Sequence, residues 1–110
     1  MYESWWGMTT LPQIEEHSEE CRKYLLSDKD AIVKRWIKNG ASGWRLDVVD
    51  ELPGFFVKEL RENVKKADKD AVIIGEVWED ASNKSAYGER REYFLGKELD
   101  SVMNYPMRRA

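Results

Sequence analysis

An α/β fold of parallel strands joined by crossover helices is what this sequence predicts, and three observations carry the prediction. Segments with helical and strand periodicity alternate along the chain in the order helix, strand, helix, strand, loop, strand, which implies parallel βα units. Residues 71–78, AVIIGEVW, form a nearly continuous apolar run bounded by turn residues, the pattern of a strand covered on both faces. Residues 43–49, GWRLDVV, form a second apolar strand, broken only by Arg45 and Asp47.

The elements follow in order. Residues 1–14, with Gly7 and Pro12, have no period and read as a loop carrying Trp5 and Trp6. From Ser18 the pattern is helical. Ser18 can cap, and Glu19 and Glu20 fall in the first turn, where the helix dipole favours acids. Cys21, Tyr24, Leu25, Ile32, Val33, Trp36 and Ile37 recur at three- and four-residue spacing, interrupted at Asp28, and Asn39-Gly40 is a stop signal. His17 reads as a surface residue at the helix entry and Cys21 as a buried thiol. After strand 43–49, Pro53 opens a second helix whose buried face is Phe56, Leu60, Val64 and Ala67. After strand 71–78, residues 79–98 are polar and loop-like, with a short helix expected at 90–95. LDSVMNYP then reads as a third strand, ended by Pro106, with no closing helix after it.

Bulk properties narrow the function. At 110 residues, one domain at most is expected. The chain is 42% hydrophobic and 35% charged, which argues against disorder. A net charge of -3 with the two signs interspersed leaves no basic footprint for nucleic acid and no polybasic membrane patch. No apolar run is long enough to span a bilayer. A single cysteine and a single histidine exclude an internal disulfide and leave little room for zinc or His-based chemistry. No signal-peptide pattern opens the chain, so a cytoplasmic location is the expectation. Five tryptophans and five tyrosines are many for this length. Aromatic faces build cores, and they also stack on flat ligands such as sugars.

Candidate chemistry sits at the strand ends. Side chains alternate along a strand, so Trp44, Leu46 and Val48 face the helices while Gly43, Arg45 and Asp47 face the other way. Val72, Ile74, Glu76 and Trp78 likewise share a face. Asp47 and Glu76 both fall near C-terminal strand ends, where parallel βα folds build active sites. If the two strands are neighbours, the carboxylates face each other across about 5–5.5 Å, the spacing of a retaining glycosidase pair. Arg45 would keep Asp47 ionised as a nucleophile, and the apolar Ile74 and Trp78 would keep Glu76 protonated as an acid. An Arg–Asp pair two apart on a strand is also a common structural ion pair. Two carboxylates ending successive strands, one helix apart, are what turn the reading towards catalysis. Asp50 and Glu51 extend the acidic mouth and are candidate substrate contacts, as are Trp5, Trp6 and Trp78.

These residues carry a resemblance. GASGWRLDVVDE followed by IIGEVWEDAS is similar to two signature motifs of the alpha-amylase family of glycoside hydrolases. The flanking YESWWGMTTLPQI and LDSVMNYPMRRA resemble its cyclomaltodextrinase, neopullulanase and maltogenic amylase branch. The resemblance covers essentially the whole chain. It implies Asp47 as the catalytic nucleophile, Glu76 as the general acid/base, and Arg45 as the group that orients Asp47. It places Trp78 in the active-site wall. It implies a TIM-type (β/α)8 barrel, of which residues 1–110 would be a partial catalytic domain, roughly from the third helix to the sixth strand. The family's Asn-His motif and its later His-Asp motif, with the third essential carboxylate, have no counterpart here. The expectation is a fragment of a longer enzyme acting on α-glucans such as starch, maltooligosaccharides, cyclodextrins or pullulan. The fragment itself should be inactive, and a homo-oligomer or swapped assembly should cover its unpaired edges. No cofactor is expected; calcium in the parent enzyme is compatible with the resemblance, but no ligands for it can be assigned here. Two other readings compete. An enolase-type barrel enzyme would hold magnesium on strand-end carboxylates, and Arg45 argues against it. A non-catalytic glycan-binding module would use Trp5, Trp6 and Trp78, and the carboxylate pair argues against that.

Overall fold

The computed structural model describes residues 1–110. Three parallel strands form one sheet in the order β1-β2-β5, where β1 is Gly43–Leu46, β2 is Val72–Gly75 and β5 is Ser101–Val102. Gly43 pairs with Val72 and Leu46 with Gly75, while Gly75 also pairs with Val102. Helices α1 (Glu19–Arg22), α2 (Ile32–Lys38) and α3 (Gly54–Ala67) cover one face, and a short α4 (Tyr105–Arg109) ends the chain. No helix is long and apolar enough to cross a membrane.

The core lies between that face and the helices. Leu46, Ile73, Val77 and Leu99 pack with Phe56, Val57, Leu60 and Val64 of α3 and with Val33 and Ile37 of α2. Each fully buried aliphatic side chain of this kind contributes about 1.5–3 kcal/mol. Pro53 stands just before α3, where its fixed φ suits the helix and its missing N–H is no loss.

Several expectations are corrected by the packing. The first helical stretch is two helices: α1 runs into a π-helical turn at Lys23–Ser27, and the chain breaks at Asp28 before α2. Tyr24 and Trp36 are exposed, and Leu26 is buried in their place. Cys21 is half-buried, and Ala67 is exposed while Val57 enters the core. Strand β2 is covered on one face only. Ala71, Ile73 and Val77 are buried, whereas Val72 is 45% exposed and Ile74 half-buried. Residues 90–95 are not helical. A two-strand hairpin forms instead, with β3 at Ser85–Ala86 and β4 at Glu89–Arg90. Its turn, Tyr87-Gly88, has φ of 54° and 71°, the left-handed pair that matches strand twist. Pro106 does not end a long strand. It sits in the first turn of α4, which Asn104 caps by accepting from the Met107 N–H at 3.0 Å.

Asp100 ties the N-terminal ends of two strands to α3. Its carboxylate accepts from the Ile73 N–H (2.9 Å) and pairs with Arg61 and Lys65 (2.9 Å each). Burial raises its pKa, but the hydrogen bonds from Lys65, Ile73 and Arg61 outweigh that and lower it from 3.8 to about 2. A depressed carboxylate stabilises the fold above its ordinary pKa, and the contribution is lost as pH falls through the folded value. Asp100→Asn should therefore cost about 1–2 kcal/mol at pH 7, allowing for partial solvent screening. The difference from the parent chain should vanish towards pH 2. Urea unfolding at several pH values measures this; a pH-independent difference would refute it.

Candidate active site

The candidate site is built where β1 and β2 end. The register that pairs Leu46 with Gly75 puts Asp47 across from Glu76 at the next step. The pairing continues there, through Glu76 N–H to the Leu46 carbonyl (2.8 Å) and Val49 N–H to the Glu76 carbonyl (3.2 Å). Arg45 projects from the open face of β1 between the two carboxylates. Its Nη1 donates to Asp47 Oδ1, and its Nη2 lies 3.0 Å from Glu76 Oε1. One planar guanidinium thus engages both acids, a use of its fork that a lysine could not reproduce. These contacts hold the Arg45 pKa above its ordinary value, Asp47 contributing most. The same Nη2 also contacts Met103 Sδ at 3.5 Å.

Strand alternation ends at Leu46. Val48 adopts φ 42° and ψ 55°, a left-handed conformation that costs a β-branched residue about 1–3 kcal/mol. The expected face assignment is corrected at this point: Val49, not Val48, is the fully buried residue. The left-handed step also turns the Val48 N–H onto Glu76 Oε2 at 2.9 Å. Glu76 Oε1 further accepts from the Tyr105 hydroxyl at 3.4 Å.

The environment of Glu76 differs from the sequence expectation. Its pKa is lowered, chiefly by the Val48 N–H, then by the Trp78 side chain; desolvation opposes, and Arg45 lowers it further. Ile74 and Trp78 do not hold it protonated in this chain, because hydrogen bonds to the charged form prevail over apolar contact. The Asp47 side chain is 76% exposed and that of Glu76 only 11%.

The remaining candidates divide into two groups. Trp5 stacks on Trp6 with ring centroids 4.9 Å apart, and Trp6 meets the Trp78 edge at 5.9 Å, so the three indoles form one cluster beside the carboxylates. Trp6 Nε1 donates to Glu51 at 3.1 Å. A cleft of about 470 Å³ runs between the 10–14 segment and the turn after β1, lined by Trp5, Leu11, Asp47 and Glu51 among others. Asp50, by contrast, is taken up by protein contacts: the Tyr93 hydroxyl donates to it and Lys84 lies 3.2 Å away. Sequence reading missed Glu16, a buried carboxylate on the cleft wall, and the buried Arg91, Tyr93 and Glu98, which lie in a segment with no periodicity to reveal them. No three His, Cys, Asp or Glu side chains are arranged to hold a metal ion.

Residues 3–110 match the model of the alpha-amylase catalytic domain. The chain belongs to the alpha-amylase family. It is 41% identical over 101 residues to a cyclomaltodextrinase of Thermoanaerobacter pseudethanolicus and 35% identical over 100 residues to neopullulanase 2 of Thermoactinomyces vulgaris, covering 91% of this chain in each case. The cyclic alpha-maltosyl-(1→6)-maltose hydrolase of Arthrobacter globiformis superposes with a TM-score of 0.80 at 30% identity, over 98% of this chain and 22% of that one. The chain spans 15% of the length of the two relatives named first. The parallel β1-β2-β5 sheet with its crossover helix is accordingly part of the family's (β/α)8 barrel.

Proposed function

We propose that this alpha-amylase family segment carries the reacting pair of a retaining α-glucan hydrolase. The observation that supports it most is the single Arg45 guanidinium shared by Asp47 and Glu76 at adjoining C-terminal strand ends. Asp47 is the nucleophile: its exposed carboxylate, held by Arg45, attacks the anomeric carbon. Glu76 delivers a proton to the departing glycosidic oxygen. The glycosyl–Asp47 ester is then hydrolysed by water that Glu76, now ionised, deprotonates, and two inversions give retention. To act as an acid, Glu76 has to lose its contact with Arg45 and be dried, which a sugar ring seated over the open sheet face accomplishes. Trp5, Trp6 and Trp78 supply faces on which the sugar stacks, and Glu51 a polar contact beside them. The reaction needs no cofactor. Transfer to a sugar hydroxyl follows the same two steps with a different acceptor.

The test is to trap the ester. A 5-fluoro α-glucosyl fluoride forms the intermediate quickly and releases it slowly. In the whole protein carrying this segment, digestion and mass spectrometry should find one added sugar on Asp47. A label on any other carboxylate, or none with activity retained, would overturn the assignment.

The 110-residue chain alone is expected to hydrolyse little glucan, because the third essential carboxylate that the resemblance implies and most of the sugar subsites have no counterpart in it. A second copy is expected to cover the unpaired outer edges of β1 and β5. Sedimentation of a well-folded monomer at high concentration would refute the second expectation, and brisk maltooligosaccharide turnover the first.

A further inference from the structure

The turn after β1 is gripped residue by residue from one distant segment. The Tyr93 hydroxyl donates to Asp50, and Lys84 pairs with the other oxygen of the same carboxylate. The Tyr87 hydroxyl donates to the Glu51 carbonyl at 2.7 Å, and Arg91 Nη2 donates to the Leu52 carbonyl. All four gripping residues belong to the loop between β2 and β5. Apart from its small hairpin, that loop has no regular structure to shape it. Its shape comes from buried polar side chains. Arg91 is 3% exposed and Glu98 2%, with Arg91 Nη1 3.4 Å from Glu98 Oε1 and Glu98 Oε2 accepting from the Glu92 N–H at 2.9 Å. The pair packs against Gly54 at the start of α3, where a Cβ would come within 3.2 Å of both Arg91 and Glu98. Buried ion pairs add little net stability, and their better attested use is to specify one arrangement. Tyr93, 1% exposed, is sealed in the same way, and its hydroxyl has Asp50 as its partner.

We infer that residues 79–98 are a clamp on the nucleophile turn, with Tyr93 and Asp50 as positioning residues and Asp50 the handle of the clamp rather than a sugar contact. The inference rests on the reading of Asp47 as nucleophile. Its logic is mechanical. Val48 holds a left-handed conformation unfavourable to valine, and such a turn persists only while its surroundings over-determine it. Cutting the Tyr93–Asp50 tie lets the turn relax, and Asp47, one residue before Val48, moves relative to Glu76.

The experiment combines steady-state kinetics on a soluble maltooligosaccharide with hydrogen exchange over residues 47–52, in the whole protein carrying the segment. Tyr93→Phe removes one hydroxyl and keeps the ring. It should lower kcat about tenfold, since small displacements of a reacting group are costly. KM should stay within about twofold, because no sugar contact is lost, and exchange at 49–52 should quicken. Asp50→Ala should be at least as severe, because it also frees Lys84, and adding Tyr93→Phe to it should change little, since the Tyr93–Asp50 contact is already gone. Asp50→Asn, which keeps an oxygen for the hydroxyl, should recover most of the loss. Wild-type kcat or wild-type exchange in Tyr93→Phe would overturn the clamp, as would Asp50→Ala raising KM with kcat intact. Retained activity in Asp47→Asn would instead sink the nucleophile reading, and the exchange measurement would still decide the clamp.

Discussion

Asp47→Asn in the whole protein carrying this segment is expected to lower kcat by at least about 10³-fold, the scale on which loss of a covalent nucleophile is felt. The amide is nearly isosteric but cannot form a stable ester to the sugar. Folding should hardly notice, because the Asp47 side chain is 76% exposed and surface substitutions usually stay within about 0.5 kcal/mol. Glu76→Gln should also be slow, but in a different way. With a substrate whose leaving group needs no acid, the ester accumulates, and azide replaces the activated water and restores turnover. Rescue of Glu76→Gln together with no rescue of Asp47→Asn would assign the two roles separately. Near-normal turnover in Asp47→Asn would remove the nucleophile assignment, and with it the double displacement.

Gly43→Ala is expected to be the most damaging small substitution in the fold. A Cβ at residue 43 would lie 2.0 Å from the Val72 carbonyl oxygen and 2.8 Å from the Val72 nitrogen. Those are backbone atoms of the neighbouring strand, fixed by the pairing of Gly43 with Val72 and by the Val72 N–H donating to the Ser42 carbonyl at 3.0 Å. The clash can be relieved only by parting β1 from β2, so a loss of about 3 kcal/mol or more follows. Gly40→Ala is the control. Gly40 has φ of 105° with open space around it, so alanine there suffers torsional strain alone, about 1–2 kcal/mol. Thermal unfolding should show a markedly larger fall for Gly43→Ala than for Gly40→Ala. Equal effects would mean that the two strands are not so closely apposed.

How far the chemistry could be read ahead of the structure varies from residue to residue. The strand GWRL was legible because period-two alternation sets Arg45 on the face opposite Trp44 and Leu46, although the strand stops at Leu46 and the expected alternation through Val49 does not hold. Glu76 at the end of AVIIGEVW was legible for the same reason, and the parallel pairing of the two strands followed from the helix between them. The protonation of Glu76 was not. Sequence neighbours suggested an apolar setting, but the largest influence on its pKa is the Val48 N–H, 28 positions away. The role of Asp50 was equally hidden. It reads as one more acid at an acidic mouth, and only the fold brings Tyr93, 43 positions away, onto it. The hairpin at 85–90 escaped notice because its turn uses tyrosine where asparagine or glycine is the usual signal. Pro106 misled because proline ends a strand and begins a helix equally well, and Asn104 as the cap decided between them.

The sequence by itself determined the βα order and the two carboxylates with their arginine at successive strand ends. Each of these depends on short-range periodicity or on covalent order along the chain, which packing cannot alter. The tertiary structure alone decided the charge state of Glu76, the left-handed turn at Val48, and the gripping of that turn by residues 79–98. Hydrogen bonds between residues far apart in sequence set these, and their energies depend on distances of a few ångströms that no local pattern encodes.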